Sequence, residues 1–156
     1  MNDGKLMLLA IAEGRKGIAA KQSPFGAVIA KNGKVISAGH NTVLHDCDST
    51  KHAEINAISK ACRKMRSPKL KGCAIYSTCE PCPMCFAAIH WAEIGKIVFG
   101  ASISDAKNFG FHELAISNST MKRLGKDKIK IQSGFLKSEC LQMMEEWKKR
   151  KDKRTY

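Results

Sequence analysis

The sequence predicts a three-layer α/β/α domain built on a mixed central sheet of about five strands. Three observations lead there: a hairpin signal at Asn32-Gly33, a run through residues 73–101 that reads strand, helix, strand, and helical segments with apolar faces before, between and after them. A chain of 156 residues buries about two-thirds of its unfolded surface around one core. With 44% hydrophobic and 26% charged residues it is not collagenous, low-complexity or disordered. No repeat, Gly/Ser linker or composition break divides it, so residues 1–156 read as a single domain.

The first helix is expected over Asp3 to Ala20, where Leu6, Leu9 and Ala10 recur at helical spacing. Ala27–Lys31 and Lys34–Ala38 then flank Asn32-Gly33, a pair suited to a type I′ turn. A polar loop from Val43 to Thr50 leads into a helix over Ala53 to Met65. Its Ile55, Ile58 and Cys62 share a face, and Arg63, Lys64 and Arg66 close the end where cations suit the dipole. Cys73–Ser77 reads as a strand, Cys82–Glu93 as a helix and Lys96–Ala101 as a strand. A helical crossover of that length joins parallel strands, whereas the hairpin is antiparallel, so the sheet is mixed. A loop through Asp105 to Thr120, a strand at Ile129–Ser133 and an amphipathic helix at Ser138–Lys151 complete the chain.

The first ten residues carry Asp3 and Lys5 beside a short apolar run, which fits neither a signal peptide nor a membrane span. Seven cysteines, an odd number with three packed into residues 79–85, point to a reduced cytoplasmic protein with metal chemistry and not to a disulfide scaffold. The net charge of +13 favours phosphate-bearing or anionic partners without naming one. The basic residues Lys148, Lys149, Arg150, Lys151, Lys153 and Arg154 could neutralise phosphates.

Two short motifs carry chemistry: His52-Ala53-Glu54 opening one helix and Pro81-Cys82-Pro83-Met84-Cys85 opening another. Cysteines three apart at a helix start face one side, where unpaired N–H groups favour the metal-binding thiolate. One imidazole and two thiolates make three ligands, and a catalytic zinc site keeps its fourth position for water. Glu54, two residues past His52, is placed to act as general acid and base without ligating the metal. A thioredoxin-like redox pair and a closed zinc knuckle using Cys79 as fourth ligand are the competing readings of the cysteines. The combined pattern of His-x-Glu followed by Pro-Cys-x-x-Cys is the signature of zinc nucleobase deaminases.

With those residues in view, the chain resembles the cytidine deaminase-like superfamily and, within it, the small bacterial guanine deaminases. The resemblance is carried by Pro24-Phe25-Gly26-Ala27, Gly39-His40-Asn41, His52-Ala53-Glu54-Ile55, Cys79 through Cys85, Ala88-Ile89, Trp91-Ala92 and Gly110-Phe111. It implies the cytidine deaminase-like fold, one zinc ion held by His52, Cys82 and Cys85 with a bound water or hydroxide as fourth ligand, and Glu54 as proton carrier. It further implies a substrate pocket of Phe25, Asn41, Ala53, Trp91, Glu113 and Tyr156, and a homodimer whose C-terminal segment, 138–156, is swapped so that Tyr156 enters a neighbouring site. The bland readings are that Phe25, Trp91 and Phe111 are core aromatics, Asn41 a turn cap and Tyr156 a free end. Cys47, Cys62, Cys73 and Cys140 read as small apolar fillers or exposed thiols, and His45, His90 and His112 as structural or surface residues.

The expected reaction is hydrolytic deamination of a purine base, guanine to xanthine and ammonia, with no membrane partner. The alternatives are wobble adenosine deamination in tRNA, which the charge favours and the bulky Trp91 and Glu113 oppose, and deamination of cytosine, guanosine or cytidine. A non-catalytic zinc module on the same fold leaves Glu54 without a purpose.

Overall fold

Asn32 and Gly33 take positive φ values of 49° and 71°, closing the expected two-residue turn between β1 (Gly26–Lys31) and β2 (Lys34–His40). The computed structural model describes the whole chain, Met1–Tyr156. On its other edge β1 pairs antiparallel with β3 (Cys73–Cys79), which runs parallel to β4 (Lys96–Ala101), itself parallel to β5 (Lys130–Gln132). The order β2-β1-β3-β4-β5 is the expected mixed sheet of five strands. β3 runs two residues past the expected Ser77, which carries the chain to the edge of the cysteine motif.

Helices cover both faces. α1 (Asp3–Ala19) and α7 (Lys137–Lys148) pack on one side, α3 (Ala53–Met65) and α4 (Pro83–Trp91) on the other. Two glycines permit the closest approach. A Cβ on Gly26 would strike the carbonyl of Ala10 and the backbone of Gly14 in α1, while one on Gly39 would lie 2.9 Å from the backbone nitrogen of Ala57 in α3. Ala27 and Gly39 are register partners, so the strands alternate between the two helical layers as a two-residue period requires. The core runs continuously through Leu6, Ile11, Ile29, Ile75, Ile97 and Met144.

The structure corrects the sequence reading in its polar stretches. The supposed loop from Asp105 to Thr120 is flanked and partly occupied by α5 (Ile103–Asn108) and α6 (Asn118–Leu124). Both are short and lack an apolar stripe, so end chemistry defines them: Ser102 and Asp105 form a capping box, and the Ser117 side chain accepts from the Thr120 amide. One turn of helix, α2 (Val43–Asp46), also lies within the expected loop from Val43 to Thr50. No helix is long and apolar enough to cross a membrane.

Candidate active site

β3 ends at Cys79, and the chain turns through Glu80 and Pro81 before Cys82 caps α4, with Pro83 as its first residue. Proline suits that position because its missing N–H belongs to the unpaired first turn. His52 likewise caps α3. Two helix starts thus converge at the carboxyl end of a parallel strand, the usual place for a ligand in an α/β sheet.

Cys82 Sγ and Cys85 Sγ each lie 3.6 Å from His52 Nδ1, and the three donor atoms fall within 4.8 Å of one another. With Zn–S bonds of about 2.3 Å and Zn–N bonds of about 2.0 Å, tetrahedral ligation separates sulfur from nitrogen by about 3.5 Å, so the residues present fit zinc. A hydrogen bond from Cys85 pulls the Cys82 thiol down to about 4 against the effect of burial, and His52 adds to the pull. The same bond and burial push Cys85 well up. Burial opposes charge on His52, yet Cys82 and Glu54 hold its pKa above the ordinary value. Cys79 lies outside this set, its thiol directed to the Ser102 carbonyl at 3.6 Å, so the four-ligand knuckle is not formed.

Glu54 sits on the first turn of α3, buried against the sheet. Ser77 Oγ on β3 donates to its Oε1 at 2.9 Å, and the Cys85 thiol lies 3.5 Å from its Oε2. Burial raises its pKa, offset in part by His52 and by the Ser77 hydroxyl. A carboxyl so held, beside but outside the donor set, is suited to taking and returning protons.

Phe25, Asn41, Glu113 and Tyr156 join His52, Glu54 and Cys82 around one cavity. Asn41 is fully buried; its Oδ1 accepts from the Val43 amide at 3.1 Å and its Nδ2 donates to the Tyr156 hydroxyl at 2.7 Å. Phe25 packs edge-on against Phe111, with ring centroids 4.7 Å apart, and Phe111 leans on Trp147 at 5.0 Å. Phe111 is therefore a support behind the cavity wall. Glu113 is pushed up to about 7 by burial and by the charge of Cys82. Tyr156 reaches the site of its own chain. With Tyr156 in place the cavity holds about 10 Å³, room for a single water.

Two expected pocket residues are not among those that line this cavity. Trp91 is 80% exposed at the far end of α4, eight residues beyond Pro83 and so about 12 Å along the axis. Ala53 is buried in the core, and its carbonyl lies against Gly39. Sequence reasoning also missed Ser77 and Asn118, a pair of ordinary polar residues whose importance comes from being buried beside the motif.

Residues 1–101 match the family model for the cytidine and deoxycytidylate deaminase zinc-binding region. The chain belongs to this family. Within it, the chain is 46% identical over 90 residues to the guanine deaminase of Bacillus subtilis (strain 168), a stretch that takes in 58% of each protein. It is 36% identical over 128 residues to a tRNA-specific adenosine deaminase of Buchnera aphidicola subsp. Schizaphis graminum (strain Sg), covering 82% of both. Among solved structures it is similar to a guanine deaminase from Nitrosomonas europaea, with a TM-score of 0.88 and 28% identity over 94% of this chain and 85% of that one. Members of two substrate classes are thus similar to this family member.

Proposed function

We propose that the protein deaminates a purine base hydrolytically, converting guanine and water to xanthine and ammonia. The observation that carries this reading is the meeting of buried Glu54 and half-buried Glu113 at one small cavity beside the His52, Cys82 and Cys85 donor set, with Asn41 at its wall. His52, Cys82 and Cys85 would hold zinc, which when bound makes water a nucleophile at neutral pH. Glu54 takes the water proton, delivers it to a ring nitrogen and then serves the leaving amine. Asn41 offers a donor and an acceptor to the ring edge, Phe25 packs on its face, and Glu113 accepts from the exocyclic amine. The Tyr156 ring must shift to admit a purine, and its hydroxyl then leaves Asn41 free to bond the base.

A second reading, adenosine deamination in tRNA, is favoured by the exposed basic tail. Lys149, Lys151, Lys153 and Arg154 are exposed and precede Tyr156, which lines the site, by two to seven residues. Cytosine, guanosine and cytidine remain candidate substrates of the same chemistry. A homodimer is supported by Trp91 and by Leu124, 67% exposed, large apolar side chains on α4 and α6, which pack together.

The deciding experiment measures ammonia released by zinc-loaded protein from guanine, guanosine, cytosine, cytidine and adenine, with a tRNA anticodon stem in parallel. Turnover of guanine alone is expected. Inosine formation confined to the tRNA, with binding that weakens steeply as salt rises, would overturn the free-base reading.

A further inference from the structure

We infer that Glu80 is a positioning residue: its carboxylate fastens both ends of the segment that carries Glu113 to the loop that carries Cys82. Oε2 accepts from the backbone N–H of Ile103, the first residue of α5, at 3.2 Å. Oε1 accepts from the backbone N–H of Asn118, the first residue of α6, at 2.8 Å. Residues 103–118 are thereby tied at both ends to one side chain, and Glu113 lies between the ties.

Asn118 completes the clamp from the other side. It is fully buried, and its Nδ2 donates to the carbonyl of Pro81 at 2.5 Å, one residue before Cys82. The Glu80 amide donates to the Ala101 carbonyl at 2.8 Å, which fixes its backbone to the end of β4. The loop holding Cys82 and the segment holding Glu113 therefore share a single set of hydrogen bonds. Shifting one shifts the other.

The chemistry selects a carboxylate. Two N–H donors converge on this side chain, so it must present two acceptors and no donor. Glutamine has the same shape but turns an NH₂ group toward one of the amides, and aspartate is one methylene too short to span both. A side chain that merely filled space would show no such preference.

The assignment of Glu113 to substrate rests on the function proposed above, whereas the clamp itself is a matter of geometry. Glu80→Gln and Glu80→Ala are compared with the parent, metal-loaded and without substrate, by amide hydrogen exchange across the chain. Loss of a charged-acceptor hydrogen bond should speed exchange through residues 103–118 by about tenfold in Glu80→Gln, with α1 and β1 unchanged. Release of cobalt(II) from the substituted site to a chelator should quicken in step, and with an accepted base KM should rise more than kcat falls. Glu80→Asp should restore part of the protection. Unaltered exchange in 103–118, or an equal rise throughout the sheet, would overturn the clamp; if Glu80→Ala does not fold, the isosteric Glu80→Gln still decides. Exchange and cobalt release need no turnover, so a chain that deaminates nothing would sink the functional reading and leave this one standing.

Discussion

Glu54 and the three metal donors lie close enough that charge on any one is felt by the rest, and this is where a single substitution is most informative. Glu54→Gln preserves shape and the Ser77 contact but removes the proton carrier. The variant should keep its zinc, measured by atomic absorption, while turnover falls by about 10²–10⁴-fold. Wild-type turnover in it would remove Glu54 from the proposed role. The donor set was legible because sequence spacing and helix position act together: His52 and Cys82 both cap helices, and Cys85 follows one turn later. Trp91 was assigned to the pocket by resemblance alone; Cys82 and Cys85 set the opening end of α4 at the cavity, which leaves Trp91 at the other end of the helix. Glu80 sat inside the recognised motif, but its partners Ile103 and Asn118 lie 23 and 38 residues away and have no local signature.

Elements with a regular apolar period were foreseen nearly to the residue, as α3 at Ala53–Met65 and β4 at Lys96–Ala101 show. α5 and α6 were not, since their ends are set by serine caps and not by an apolar face. The seating of α1 is open to test. Asp3 in its first turn accepts from Tyr76 Oη at 2.7 Å and pairs with Lys96 Nζ at 2.7 Å, tying the helix to β3 and β4. The Lys96 contact first, then the Tyr76 hydroxyl, lowers the Asp3 pKa below its ordinary 3.8. A lowered carboxyl stabilises the fold above its unfolded pKa and loses that contribution as pH falls through the folded value. Asp3→Asn should therefore cost about 1 kcal/mol at pH 7, kept small by partial exposure, with the gap closing below about pH 4. Urea midpoints at pH 7 and pH 3 check this; a gap that widened in acid would contradict it.

At the scale of the whole molecule, the exposed Trp91 and Leu124 and the net charge of +13 make opposite demands. Apolar surface favours association, and like charge resists it. If the α4 and α6 face joins two copies, Trp91→Glu should turn the dimer into a monomer in sedimentation velocity runs while the far-ultraviolet spectrum is unchanged. A variant that stays dimeric would place the interface elsewhere. Neither the face nor its exposure could be read from the sequence, where Trp91 looks like any other aromatic on an apolar helix.

His52 is separated by 30 residues from Cys82 and by 33 from Cys85, and β3, which leads into the cysteine motif, is seated between β1 and β4. If ligands so far apart in sequence meet only once most of the sheet has formed, the full donor set is absent from the folding transition state. Zinc should accordingly leave the refolding limb of a chevron plot almost untouched and depress the unfolding limb. In a cell, the metal would govern how long a finished molecule survives and have little say in how quickly it is made.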